Sequence, residues 1–204
     1  MQMNQKSKFF SYLRDQFSPF RDFFGFIAEI SKIILISLAI ILPIRYFLVQ
    51  PFYVKGESME PSFYNNDYLI INEIGYRFND PLRGDVVIFK YPKDPKEYFI
   101  KRVIGIPGDR VVIKDNKVII YPQNSEEAIQ LKEDYLDPNE VTTKNIDVRL
   151  KAEEYFVMGD NRSHSLDSRV FGTVSDDLII GKVWFRGWPF SRWGVIEGPE
   201  YNIN

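Results

Sequence analysis

Residues 98–109 read YFIKRVIGIPGD, a run of aromatic and β-branched residues that ends in a Pro-Gly-Asp turn. This composition is typical of a strand. Successive side chains of a strand point to opposite faces, so Phe99, Lys101 and Val103 would share one face. If that face lies in the core, burial lowers the pKa of Lys101 and leaves a neutral amine that can act as a general base. The alternative is a surface strand whose lysine faces water, but that arrangement would expose Phe99 and Val103 as well.

Seven other short segments repeat this pattern of β-branched and aromatic residues, and Pro and Gly separate them. The pattern predicts a mainly β domain. Asp115-Asn116 lies between two alternating runs and predicts a tight hairpin turn. Residues 122–154 break the pattern with many charges, which indicates a small inserted subdomain. The seven segments are Phe52–Lys55, Tyr68–Asn72, Val86–Tyr91, Arg110–Lys114, Lys117–Tyr121, Tyr155–Met158 and Ile179–Arg186.

An apolar stretch precedes the β segments, and its residues 33–49 read IILISLAIILPIRYFLV. Because Arg45 can reach outward at one end, the stretch can form one transmembrane helix, which we place at residues 31–49. Bulky residues follow it instead of the small residues of a cleavage site, so we expect an uncleaved signal anchor. Five Lys or Arg residues precede the stretch. This bias predicts a single-pass protein of the cell membrane, with residues 1–30 in the cytoplasm and residues 50–204 forming an extracytoplasmic β-rich domain.

Composition excludes several classes of function. The 204 residues contain no cysteine, so a disulfide, a thiol nucleophile and a cysteine-ligated zinc are impossible. The single histidine, His164, is the one side chain available for Ser-His chemistry. The 26 basic and 28 acidic residues give a net charge of −2, which argues against a nucleic-acid partner. We expect no cofactor and no metal.

Two further segments carry polar residues that could perform chemistry. Residues 56–61 read GESMEP, and a serine in such a turn can project its hydroxyl. Residues 159–169 read GDNRSHSLDSR, and apolar residues flank them on both sides. A polar segment between strands predicts a loop with internal hydrogen bonds. In that loop Asp167 and Arg169 could pair with each other or with the earlier Asp and Arg of the same segment.

These three segments, in this order after an N-terminal anchor, resemble the bacterial type I signal peptidases, the membrane-bound serine proteases that remove signal peptides. GESMEP is similar to the nucleophile motif of that family. Residues 83–89, RGDVVIF, together with FIKRVIGIPGD, are similar to its lysine motif, and GDNRSHSLDSR is similar to its last motif. The resemblance spans about residues 40–185 and implies a signal-peptidase-like β catalytic domain.

The resemblance implies a Ser-Lys dyad with Ser58 as nucleophile and Lys101 as general base. It also implies that Ser165 hydrogen-bonds to the lysine and orients it, and that Asp167 and Arg169 form a structural ion pair beside the site. Peptide hydrolysis by a serine needs a base and a group that stabilises the oxyanion, so these roles agree with the chemistry.

The resemblance also concerns the substrate, which would be an exported preprotein with small side chains at positions −1 and −3 before the cut. Gly56 stands where some members carry a serine that donates its hydroxyl to the oxyanion, so this position supplies no side-chain donor. Met59, Phe52 and Ile100 are candidates for pocket walls. Ser58 lies nine residues beyond the apolar stretch, a link of at most about 30 Å. We therefore expect the site to lie near the bilayer. As a separate expectation, the protein acts as a monomer.

Two other functions agree with parts of the sequence. A Ser-His hydrolase of another substrate class would use His164, although a histidine among polar residues is most often a surface residue. A non-enzymatic, membrane-tethered β domain could instead bind a partner at the cell envelope.

The C-terminal part is rich in aromatic residues, among them all three tryptophans. Trp184 falls within a predicted strand, and we expect it to pack in the β core. Trp188 and Trp193 lie beside Pro189 and Gly194, where we expect contact with the membrane interface.

Overall fold

The N-terminal element is a long apolar helix. Helix α1 runs from Phe23 to Leu42, and its 20 residues are exposed and apolar enough to cross a membrane. The helix starts ahead of the predicted anchor, whose residues 43–49 lie outside the described part of the chain. The chain divides into two compact units, Met1–Tyr46 and Phe47–Asn204. The structure is a computed structural model and describes residues 23–42, 50–123, 125, 127–199 and 201.

The second unit is mainly β and contains two antiparallel sheets, which confirms the predicted fold class. The order of hydrogen-bonded strands in the larger sheet is β1-β2-β11-β3-β4-β9-β10, and β12 pairs with β11. Strand β4 therefore lies well inside this sheet, between β3 and β9. The strands of the larger sheet are β1 (Gln50–Tyr53), β2 (Tyr68–Asn72), β3 (Val86–Tyr91), β4 (Asp94–Gly105), β9 (Glu154–Met158), β10 (Val174–Ser175), β11 (Ile179–Trp188) and β12 (Gly194–Val195).

The smaller sheet has the order β7-β6-β5-β8. Its strands are β5 (Arg110–Lys114), β6 (Lys117–Tyr121), β7 (Ile129–Gln130) and β8 (Ile146–Arg149). Asp115 and Asn116 connect β5 to β6 with φ values of 50° and 64°, so the predicted hairpin turn is confirmed. Strands β7 and β8 lie within the polar residues 122–154. Both are so short that the sequence shows no clear alternation of polar and apolar residues there.

Buried apolar side chains fix the position of the turn that follows β1. Met59 and Phe63, each 1% exposed, pack with Ile71 of β2 and with neighbouring strands of the larger sheet. A second cluster joins the two sheets, because Ile104 of β4 packs with Val111 of β5. The turn and the smaller sheet are thus both held against strands of the larger sheet.

Two short helices were not predicted. Helix α2 spans Glu73–Phe78, and Asn72 caps it by accepting from the Gly75 amide at 2.7 Å. Helix α3 spans Ser168–Phe171 and follows its cap Asp167. Helices of six and four residues are too short to show the 3.6-residue period on which sequence prediction depends.

The prediction that Trp184 packs in the β core is wrong. Its side chain is 49% exposed, whereas the preceding Val183 is fully buried. The pairing of β11 with β2 shifts register between Val183 and Phe185. Trp184 directly follows the inward-facing Val183, so ordinary strand alternation turns its ring outward.

Candidate active site

Ser58 lies in the turn between β1 and β2. The turn includes Gly56, whose φ of +90° favours glycine. The Gly56 amide donates to Asn65 Oδ1 at 3.0 Å, and the Phe63 amide donates to the Met59 carbonyl at 2.8 Å. Because Met59 is buried, it fixes the turn from the core side, while the adjacent Ser58 stays partly exposed.

Strand β4 brings Lys101 to the Ser58 hydroxyl. Lys101 Nζ lies 2.7 Å from Ser58 Oγ and donates to the Ile100 carbonyl at 2.8 Å. The centroid of the Phe99 ring is 5.4 Å from the same nitrogen. Only 4% of Lys101 is exposed, which confirms the burial that strand alternation predicted.

Burial changes the acidity of this lysine. Loss of hydration lowers the pKa of Lys101 to about 8, and the carboxylates of Asp167 and Asp160 oppose part of that change. A lysine in water has a pKa of 10.5. The neutral amine is therefore far more abundant near neutral pH than it is in an exposed lysine.

Asp167 organises the polar loop of residues 159–169. Its carboxylate accepts from Arg169 Nε at 2.9 Å and Nη2 at 2.8 Å, and from the Gly159 amide at 3.1 Å. Burial alone would raise the pKa of Asp167, but the hydrogen bond and the charge of Arg169 lower it below its usual value. Both side chains are buried, so of the pairings that the sequence left open, the structure has Asp167 with Arg169.

Ser165 lies against Gly159 in the same loop. A methyl group added at Gly159 would be 2.6 Å from Ser165 Cβ and would also overlap the Ser58 carbonyl oxygen, so only glycine fits there. The Ser165 hydroxyl is buried and lies close enough to Asp167 to help lower the pKa of that carboxyl. The structure therefore places Ser165 near Ser58 but without the bond to Lys101 that the resemblance implies.

Sequence reasoning missed a second ion pair next to Lys101. Arg102 donates to both carboxylate oxygens of Asp160, from Nε at 2.9 Å and from Nη2 at 2.6 Å. Arg102 Nη1 also donates to the Gly84 carbonyl at 2.9 Å. The pair is buried and ties the loop of residues 159–169 to β4. The sequence signal for this pair is the presence of two adjacent basic residues in one apolar strand. When both are buried, the second one also needs a carboxylate to balance its charge.

His164 lies apart from the Ser58 hydroxyl. It is exposed, and its Nδ1 is 3.2 Å from Asn161 Oδ1 and 3.0 Å from Ser163 Oγ. Within the described chain no hydrogen bond joins His164 to Ser58. The arrangement is that of a surface histidine in a polar turn.

A groove of about 280 Å³, lined by both apolar and charged residues, lies beside Ile100, the residue that precedes Lys101. Its wall includes Phe52 of β1 and Tyr98 of β4, whose ring centroids are 5.7 Å apart. Phe52 and Ile100 were candidates for pocket walls and do line the groove. Met59 is buried in the core and is not part of its lining.

Comparisons with known proteins identify the family to which the chain is similar. Residues 27–188 match the family model described as signal peptidase, peptidase S26. The chain is 35% identical over 185 residues to signal peptidase IB of Staphylococcus aureus, covering 84% of this chain and 94% of that protein. It is 35% identical over 189 residues to the probable signal peptidase I-1 of Synechocystis, covering 89% and 92%. A crystal structure of a signal peptidase I from Enterococcus faecalis aligns at 30% identity and a TM-score of 0.44, covering 52% of this chain and 97% of that one.

The family match spans most of the chain, and the two relatives are covered almost end to end, so the molecule is a peptidase of the signal peptidase I class. The chain belongs to the peptidase S26 family of signal peptidases. The resemblance drawn from three motifs is thereby confirmed, and the family implies preproteins as substrates.

Proposed function

We propose that this chain is a membrane-anchored serine endopeptidase that removes N-terminal signal peptides from exported preproteins, with Ser58 as nucleophile and Lys101 as general base. The 2.7 Å distance between Lys101 Nζ and Ser58 Oγ carries the proposal, because it puts a base within reach of the hydroxyl proton. The lowered pKa of Lys101 supports the neutral amine that this role requires.

In the proposed acylation step, the neutral Lys101 amine takes the Ser58 hydroxyl proton while Oγ attacks the scissile carbonyl carbon. The carbonyl electrons move to oxygen, and the oxyanion accepts a hydrogen bond from the Ser58 backbone N–H. The C–N bond of the intermediate then breaks, and the Lys101 ammonium gives its proton to the leaving amine. Water attacks the acyl-enzyme with Lys101 again as base, which releases the signal peptide and restores Ser58.

Three residues of the polar loop support this dyad in the proposal. The Asp167–Arg169 pair fixes the loop that carries Ser165. In the proposal the buried Ser165 hydroxyl, which lies beside Asp167, orients Lys101. Asp167 lies close enough to raise the pKa of Lys101 in part, which keeps the amine basic enough to accept a proton.

The groove beside Ile100 supports binding of an extended peptide. Its apolar wall suits short aliphatic side chains on the residues just before the cut, and the free edge of β1 can pair with a peptide backbone. We assign positions −1 and −3 of the preprotein to this region, with Phe52 and Ile100 among the contacts.

We also propose the location. Helix α1 anchors the protein in the cell membrane as a single pass, the N-terminus faces the cytoplasm, and residues 50–204 lie outside as a monomer. The exposed rings of Trp188, Phe190 and Trp193 support contact with the membrane interface, where aromatic residues are enriched.

We expect the purified chain in detergent micelles to cleave a preprotein with Ala at positions −1 and −3, and to leave uncut a matched preprotein with Leu at −1. Because His164 has no described bond to Ser58, the His164→Ala variant should cut within about two-fold of the parent rate. Gel analysis gives the rates, and mass spectrometry of the products gives the cut. Loss of cleavage on His164→Ala would favour a Ser-His hydrolase, and a parent that cuts nothing would favour a binding domain.

The absence of cysteine gives a direct test of orientation. We expect a Ser125→Cys variant to react with a membrane-impermeant maleimide in intact cells, because Ser125 is exposed in the proposed external domain. A Ser7→Cys variant should react only after the cells are permeabilised, since residue 7 precedes the anchor. The cysteine-free parent provides the background, and the reverse labelling pattern would contradict the proposed orientation.

A further inference from the structure

Arg162 is a charged side chain inside the protein. It is 2% exposed and is among the largest fully buried side chains of the described residues. Its Nε donates to the Gly159 carbonyl at 3.0 Å, within its own loop. Its Nη1 reaches another part of the chain and donates to Thr142 Oγ1 at 2.8 Å. A buried guanidinium needs such partners, because an unpaired charge in the interior is strongly unfavourable.

The remaining partners of this guanidinium also come from residues 131–145, the β7–β8 loop. Glu133 accepts from Nη1 through Oε2 at 3.1 Å and from Nη2 through Oε1. Nη2 lies 3.3 Å from the Tyr135 hydroxyl. The Glu133 side chain is itself mostly buried, so the two charges form a pair shielded from water.

Two more contacts join the β7–β8 loop to the polar loop of residues 159–169. Glu140 Oε1 accepts from the Ser163 amide at 2.6 Å, and Lys144 Nζ donates to the Arg169 carbonyl. The β7–β8 loop therefore holds the polar loop at Arg162, at Ser163 and at Arg169.

The opposite side of the polar loop holds the nucleophile. The Asn161 amide donates to the Ser58 carbonyl at 3.1 Å, and Asn161 Nδ2 donates to the Glu57 carbonyl at 3.2 Å. Gly159 packs against the same Ser58 carbonyl. Arg162 follows Asn161 directly and bonds to Gly159, so it lies between the β7–β8 loop and the backbone of Ser58.

We propose that Arg162, held by Glu133 of the β7–β8 loop, is a positioning residue that sets the place of Ser58 relative to Lys101. The inference rests on the proposed function for its effect on rate. Attack by Ser58 requires its hydroxyl to stay within hydrogen-bond distance of Lys101, and displacements of about 1 Å in such a site lower the rate by about 10²-fold. In this arrangement the inserted segment contributes to catalysis without touching the substrate.

The test uses Glu133→Gln, which keeps the size and hydrogen-bonding atoms of the side chain but removes its charge, and Arg162→Lys, which keeps the charge but loses the fork of donors. For the full chain in detergent micelles, we expect kcat per folded enzyme to fall by about tenfold with KM unchanged, since peptide contacts are not altered. We also expect faster amide hydrogen exchange at residues 57–62. Arg162→Lys should lower kcat more than Glu133→Gln does. If Arg162→Lys does not fold, Glu133→Gln alone provides the test.

Arg83→Lys is the matched control. Arg83 pairs with Asp109 at 2.8 Å and is as buried as the pair under test, but it has no described bond to residues 57–62 or 159–169. It should lower the melting temperature without changing kcat or exchange at residues 57–62. The inference is overturned if Glu133→Gln loses stability yet keeps both kcat and that exchange. A parent that cuts no preprotein contradicts the proposed function alone, because exchange at residues 57–62 still decides whether Arg162 positions Ser58.

Discussion

The Lys101→Met variant is expected to lose preprotein cleavage by about 10⁴-fold, because methionine fills similar space but cannot take the proton of Ser58. Lys101 is buried in an apolar setting, so methionine should pack there without an unpaired charge. Lys101→Arg is the more specific test of whether the residue acts as a base. It keeps a cation but cannot give up a proton near neutral pH, so it should be as inactive as Lys101→Met.

Lys182→Met is the matched control for these variants. Lys182 is partly buried and pairs with Asp85, and it has no described bond to Ser58 or Lys101. Its loss should leave the cleavage rate within about two-fold of the parent. If Lys101→Arg cleaves like the parent, Lys101 acts as a cation and another group is the base.

The pH dependence of the parent enzyme tests the same step. Because the protonated lysine cannot accept a proton, kcat/KM should rise by about tenfold per pH unit at low pH. The rise should level off near the Lys101 pKa of about 8. A rise that continues to the ordinary lysine pKa of 10.5 would show that burial does not set the acidity of the base.

We expect Gly159→Ala to lower kcat by about 10²-fold or more, because the added methyl group forces apart Ser165 and the Ser58 backbone. The Ser58 carbonyl cannot yield easily, because it belongs to the backbone and accepts from the Asn161 amide at 3.1 Å. Overpacking of this kind costs about 1–3 kcal/mol of folding free energy, so the variant should still fold. Steady-state kinetics with a preprotein and thermal unfolding of the same sample separate the two effects.

Gly187→Ala provides the comparison for Gly159→Ala. A methyl group at Gly187 meets nothing closer than the Tyr68 carbonyl oxygen at 3.9 Å, an ordinary contact. That variant should keep the parent kcat. If Gly159→Ala also keeps it, the space between Ser165 and Ser58 is not needed for the reaction.

Local patterns were sufficient to predict the strands and the burial of Lys101. The composition of residues 98–104 predicts a strand, and the structure buries both faces of that strand from Ile100 onward, Lys101 included. The approach of Lys101 to Ser58 is different, because the two residues are 43 positions apart and no local pattern joins them. That pairing is predicted by the resemblance to a family.

Other features depend on tertiary context and could not be read from the sequence. Trp184 lies in a strand with the expected composition, but the tertiary packing puts Val183 on the inner face and so turns the ring of Trp184 outward. Glu133 lies in a polar segment with no periodicity, and its partner Arg162 is 29 positions further along. Only the packing of the β7–β8 loop against the polar loop makes that charge pair.

If Lys101 is the base, as proposed, its burial also links the reaction to binding of the substrate. With a pKa of about 8, about one molecule in ten holds the free amine at pH 7. A preprotein lying across the site removes further water from the lysine, which favours the amine over the ammonium. Binding of substrate and binding of the proton thus oppose each other by linkage, so a bound preprotein favours loss of the proton from Lys101. The affinity for a preprotein should therefore increase as the pH rises toward the Lys101 pKa of about 8.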